Sequence, residues 1–213
     1  MIAAVSYPEF VESWVDAVND GRDHEAVRLF LDVWHDWTPD DTDDRAPLPL
    51  SYFGPKVRRR LSFQNTFVLE EHDDGFIFYR ENQANFEVRM DTAASRVVYV
   101  EGDIAVTVPE SLAHFLLKCL IFETSFGAGG TRGAWGSGAR REYDAIIERL
   151  IELHQLANWI CGYGRTRFFA ADGVVAYSTT DAHGTEFQIG ARDPGRLNWL
   201  NRFKGLTWEH FDI

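Results

Sequence analysis

The chain is poor in several residue types at once. Its 213 residues include two cysteines, Cys119 and Cys161, and three lysines, Lys56, Lys118 and Lys204. Both cysteines sit inside apolar runs, LLKCLIF and NWICGY, and are read as thiols packed like small hydrophobes, without the cationic or polar surroundings of a nucleophile. No run of about 18 apolar residues occurs, so no membrane-spanning helix is expected. The opening MIAAVSYPEF lacks a basic segment followed by an apolar one, so no signal peptide is expected and the predicted location is the cytoplasm. Positive charge is also scarce. Thirty-three acidic against 21 basic residues leave a formal net charge of -12, which repels nucleic acid and anionic membranes and attracts basic partners.

The motifs of common chemistries are missing too. The histidines, among them His35, His72, His114, His154, His183 and His210, form no H-x-x-x-H or H-x-H pair, so no zinc site is expected. The glycine-rich stretch GAGGTRGAWGSG (127–138) lacks G-K-[ST] and follows a predicted helix rather than a strand. It is read as a loop between two helices, with Trp135 as its one contact anchor. Asp40, Asp41, Asp43 and Asp44 resemble the start of a calcium loop, but Arg45 stands at the glycine position and Ser51 at that of the bidentate glutamate. The basic cluster Lys56-Val57-Arg58-Arg59-Arg60 is expected to pair with nearby carboxylates rather than with nucleic acid. No G-x-S-x-G elbow is present. These absences predict no catalytic residue, no metal and no cofactor.

What is present is an ordinary globular composition, 45% apolar, enough for a sizeable core. Ser6-Tyr7-Pro8-Glu9 has capping-box spacing and Asp23 is placed to cap a second helix, so residues 6–37 are read as an antiparallel helical pair. Residues 38–49 (TPDDTDDRAPLP) are read as an exposed acidic linker. From Asn65 the period changes. TFVLEEH, the turn Asp73-Asp74-Gly75, FIFYRENQ, ANFEVRMD, VVYV and IAVTV predict four or five antiparallel strands. Ser111 is placed to cap a helix bearing Leu112, Phe115, Leu116, Cys119, Leu120 and Glu123, and a long amphipathic helix is expected over 141–160. RTRFFAA, VVAYST and TEFQIGA predict further strands, and 193–203 a closing helix. Grouped rather than alternating elements predict an α+β fold, a mostly antiparallel sheet with helices packed on it, as one domain over 1–213 with residues 50–213 supplying the sheet and its packed helices.

One stretch carries a resemblance. Phe76-Ile77-Phe78-Tyr79-Arg80-Glu81-Asn82-Gln83-Ala84-Asn85-Phe86-Glu87-Val88 resembles the SMI1/KNR4-like (SUKH) superfamily pattern, in which a hydrophobic strand runs through E-N-Q into a second strand. Leu48-Pro49-Leu50 upstream, Val98-Tyr99, the helix from Ser111 to Leu117 and the closing region near Trp208 extend the likeness over about residues 6–211. Ala84 stands where the pattern usually has glycine. Glu81, Asn82 and Gln83 are read as structural, with Asn82 taking the unusual backbone angles of a corner. The resemblance implies a bacterial immunity protein, not an enzyme, that occludes a cognate toxin with a basic surface, such as a nuclease. Asp40, Asp41, Asp43, Asp44, Asp73 and Asp74 are the predicted toxin-facing carboxylates. A general protein-interaction or regulatory scaffold is the alternative, and an enzyme with a scattered site a third reading.

Overall fold

The computed structural model describes residues 9–73, 75–92, 95–138, 140–156, 165–180, 182 and 184–211; side chains are described for fewer, excluding those of 9–13, 138, 140 and 208–211. Asp74, Cys161, His183, the Ser6-Tyr7-Pro8 start of the capping box and the 157–160 end of the expected long helix lie outside the described residues.

Helices α1 (Glu9–Asn19) and α2 (Asp23–His35) form the predicted pair. Their facing sides bury Trp14, Val15, Val18, Phe30, Leu31 and Trp34, with the Phe30 ring edge-on to Trp14 at 5.0 Å and stacked on Trp34 at 5.8 Å. Asp23 makes no side-chain cap. Its carboxylate instead accepts from Ser111 Oγ at 2.7 Å, with His114 Nε2 at 3.0 Å, and so ties the start of α2 to the start of the central helix. After 38–54 comes the short α3 (Pro55–Leu61).

Strands β1 (Asn65–His72), β2 (Gly75–Glu81), β3 (Phe86–Asp91), β4 (Arg96–Glu101) and β5 (Ile104–Val108) then form an antiparallel meander in chain order, as predicted. β2 buries three consecutive residues, Ile77, Phe78 and Tyr79, where simple alternation would bury two. The register shift against β3 accounts for two of them, because Phe78 is an extra residue there and lies on the core face with Tyr79, whereas Ile77 stands opposite Arg89 and outside that core.

Helix α4 (Leu112–Phe126) starts where predicted, with Ser111 Oγ accepting from His114 N at 3.2 Å. It is buried almost all round rather than on one stripe, because α2, the first sheet and a second sheet all pack on it. That second sheet overturns the reading of 127–138 as a loop. After a short 3-10 turn, Arg132–Gly138 is strand β6, lying between β10 (Thr185–Ala191) and β11 (Leu206–Phe211). Gly133, with Gly190 on the neighbouring β10, allows close approach: a Cβ on Gly133 would come 3.0 Å from the Ser125 carbonyl oxygen, and one on Gly190 would come 2.8 Å from Ser125 Cα. Their missing side chains let α4 rest directly on the sheet.

The expected helix over 141–160 is also corrected. α5 spans Arg140–Ile147 alone, and Ile151–Glu152 then forms the short strand β7 against β8 (Arg165–Ala171). The apolar run Leu150-Ile151 suited either state; a sheet edge in need of a partner decided it. β9 (Val174–Thr180) completes the order β11-β6-β10-β9-β8-β7. The closing helix is 3-10 rather than α over Pro194–Arg202, capped by Asp193, which accepts from Gly195 N at 2.9 Å. The architecture is α+β with two antiparallel sheets, a single core joining α1, α2, α4 and both sheets, and a smaller core under α5 on the far face of the second sheet. No helix among the described residues is long and apolar enough to cross a membrane.

Candidate functional site

The E-N-Q segment is the turn joining β2 to β3, and its polar groups are spent on nearby backbone and side chains. Glu81 Oε2 accepts from the backbone N–H groups of Gln83 at 3.0 Å and Asn85 at 3.1 Å, and Gln83 Oε1 lies 3.4 Å from the side-chain Nδ2 of Asn85. The unusual backbone angle belongs to Ala84, at φ 59°, and not to Asn82. Asn82 instead reaches across to the chain entering β1, accepting from Thr66 Oγ1 at 2.7 Å and donating to the Phe63 carbonyl at 3.1 Å.

Directly behind that chain sits a buried carboxylate that the sequence reading placed on an ordinary helical stripe. Glu123 of α4 is fully buried and accepts from Gln64 N at 2.7 Å, Asn65 N at 3.0 Å, Asn65 Nδ2 at 2.9 Å and Tyr79 O–H at 2.5 Å. Burial pushes its carboxyl up to about 7, against donors that favour the ionised form. The same burial pushes the Tyr79 hydroxyl and the neighbouring Cys119 thiol well above their ordinary values, which keeps Cys119 a packed thiol. Ser62 completes the clamp, donating to the Arg58 carbonyl at 2.8 Å and accepting from Phe67 N at 3.0 Å.

The result is a segment, residues 62–67, with its backbone fixed on several sides, and from it Phe63 projects into solvent at 55% exposure. The ring lies against Gly127, where an added Cβ would stand 3.4 Å from it. Nothing in the local sequence marks Phe63, since one aromatic residue after a helix is as consistent with core. Beyond the turn, Arg80, Ala84, Asn85, Phe86, Glu87 and Arg89 line an open depression of about 200 Å³ on the outer face of the first sheet. Its charges are already matched: Arg80 pairs with Glu70 at 2.9 Å and with Glu87 at 3.3 Å, and Arg89 pairs with Glu87.

The acidic segment divides in two. Asp41 and Asp43 are buried, contrary to their reading as solvated linker carboxylates. Asp41 accepts from Thr38 N at 3.0 Å and faces Arg60 at 3.6 Å. Asp43 accepts from Arg45 Nη2 at 2.7 Å and Arg58 Nη1 at 3.2 Å, and the Arg45 guanidinium, with Arg58, holds its carboxyl well below the usual range. Residues 38–49 are thus a clasp on α3, whose Arg58 and Arg60 turn inward to acids as expected for that cluster. Asp40 and Asp44 are exposed, as is Asp73, which sits at φ 47° beside His72 at 3.3 Å. Among the described residues no three His, Cys, Asp or Glu side chains gather as a metal site.

Comparison with known families, with curated proteins and with solved structures found no match for this chain.

Proposed function

We propose that this chain is a SMI1/KNR4-like immunity protein that binds a cognate toxin with a basic surface and blocks it by covering it, no bond being made or broken. The observation that carries this reading is Phe63, an exposed aromatic ring on backbone held by Asn82 on one side and Glu123 on the other. Aromatic anchors dominate binding energy at protein interfaces, and one already held in place loses little further entropy on association. Support also comes from the net charge of -12 and the exposed Asp40, Asp44 and Asp73, which would steer a cationic partner such as a phosphate-binding enzyme. Co-expression with a toxin domain encoded beside this chain tests it. Cells are expected to survive and the two proteins to co-elute, and Phe63→Ala is expected to weaken binding by about tenfold or more, the loss expected for a hot-spot residue. A toxin that still kills, with no co-elution, overturns the assignment. Recovery of a resident cellular partner from a strain without any such toxin would favour the scaffold reading instead.

A further inference from the structure

Among the described residues β5 is an open edge of the first sheet, and it lacks the protections its counterpart carries. Four of its five residues are exposed, with Ile104 at 62% and Val106 at 48% exposure. In the ladder, Ile104 stands opposite Glu101, and Val106 opposite Tyr99, which in turn stands opposite the buried Val88. Residues directly opposite share a face, so Ile104 and Val106 prolong the core-facing row of the sheet beyond the rim of the core. The other edge, β1, has a register shift between Phe67 and Glu70, exposed Glu70 and Glu71, and α3 packed against it. β7, an edge of the second sheet, is two residues long. β5 has no charge, no proline and no shift along its pairing with β4.

We infer that the β5 edge takes an extended segment of a partner protein as an additional strand, and that this segment is apolar at alternate positions and carries lysine or arginine at the end that meets Glu101 and Asp103. The two-residue turn Gly102-Asp103 makes Glu101 and Ile104 the first hydrogen-bonded pair, so alternation turns the backbone groups of Ala105 and Thr107 toward the open side. The incoming strand would pair with these and lay its apolar side chains beside Ile104 and Val106. Charge selects that end. The exposed carboxylates at the start of the strand are Glu101 and Asp103, while Glu110 beyond its end is matched by Lys118. A second copy would bring another charge of -12, so self-pairing is disfavoured. This inference rests on the recognition reading for its partner and adds a second contact distinct from Phe63.

The test uses the full chain and a synthetic peptide of alternating valine and threonine with paired lysines at both ends. Amide exchange at Ala105 and Thr107 is expected to slow by about tenfold or more with this peptide and to be unchanged with paired glutamates in place of the lysines. Thr107→Pro removes one outward N–H without removing a bond to β4, and Val106→Lys charges the apolar row at a position already exposed; each is expected to weaken peptide binding by about tenfold. The inference is overturned if those amides are not protected, if both peptides bind equally, if neither variant matters, or if sedimentation shows a dimer that Val106→Lys dissociates. The two readings separate in the co-elution assay. Toxin capture lost in Phe63→Ala but intact in Val106→Lys and Thr107→Pro would remove β5 alone, whereas protection at β5 with no toxin captured would remove the immunity reading alone.

Discussion

At the scale of single residues, the β2–β3 turn shows how a polar motif can be structural without any one side chain being exceptional. Glu81 satisfies two backbone N–H groups and Asn82 links two chain segments, while the backbone demand falls on Ala84 at φ 59°. A left-handed alanine costs about 1–2 kcal/mol, and glycine returns part of that through its more mobile unfolded chain. Ala84→Gly is therefore expected to stabilise the protein by about 0.5 kcal/mol, read as a higher denaturant midpoint at unchanged slope. A lower midpoint would show that the turn is not strained there. That a corner exists was legible from three polar residues between apolar runs; which residue bends was not, because several turn types place the positive φ differently.

At the scale of elements, α4 is where the titratable and packing constraints converge. Glu123 is clamped behind the Phe63 segment, and the adjacent Thr124 meets the buried His35 of α2, whose Nε2 lies 3.0 Å from Thr124 Oγ1. Burial, aided by Arg60 and Arg192, lowers the His35 pKa to about 3, while burial raises that of Glu123 to about 7. The signs oppose. His35 contributes stability that is fully present above its unfolded value of 6.5 and lost as pH falls toward 3, because the folded state resists the proton. Glu123 contributes stability that is fully present below its unfolded value of 4.5 and lost as pH rises through 7, because the folded state retains the proton. Between 4.5 and 6.5 the two slopes cancel. Relative to the parent, Glu123→Gln is expected to gain stability with rising pH in that window and His35→Asn to lose it, each by about 1.4 kcal/mol per pH unit. Chemical denaturation at several pH values checks both, and parallel curves for parent and variant would refute the coupling. The packing constraint is sterner. Gly190→Ala puts a Cβ within 2.9 Å of the Thr124 carbonyl oxygen as well as against Ser125, so about 2 kcal/mol or more of destabilisation is expected from thermal unfolding.

At the scale of the whole molecule, the excess of carboxylates acts through the surface they occupy. Asp41 and Asp43 are held inside by arginines, so the steering charge of the 38–49 segment reduces to Asp40 and Asp44, with Asp73 on the β1–β2 turn. Reversing these three to lysine is expected to slow association with a basic partner by about tenfold at low salt and to flatten its salt dependence, while dissociation changes little. Stopped-flow mixing measures both rates; an unchanged on-rate at low salt would remove these carboxylates from the encounter. Reversing Asp43 should act on stability instead, since it strands the inward-facing Arg58.

The sequence by itself determined the helical pair, the five-stranded meander, the start of α4 and three of the later strands, because hydrophobic period and turn residues are local properties of the chain. Tertiary structure alone decided that the glycine-rich segment is a strand beneath α4, that Ile151 and Glu152 leave the helical pattern for a sheet edge, that two of the four clustered aspartates are buried, and that Phe63 and β5 are left open. Each of these depends on what a distant segment brings to the same place: a helix close enough to exclude a Cβ, a strand lacking a partner, an arginine turned inward, or, among the described residues, no segment laid over the exposed side chains.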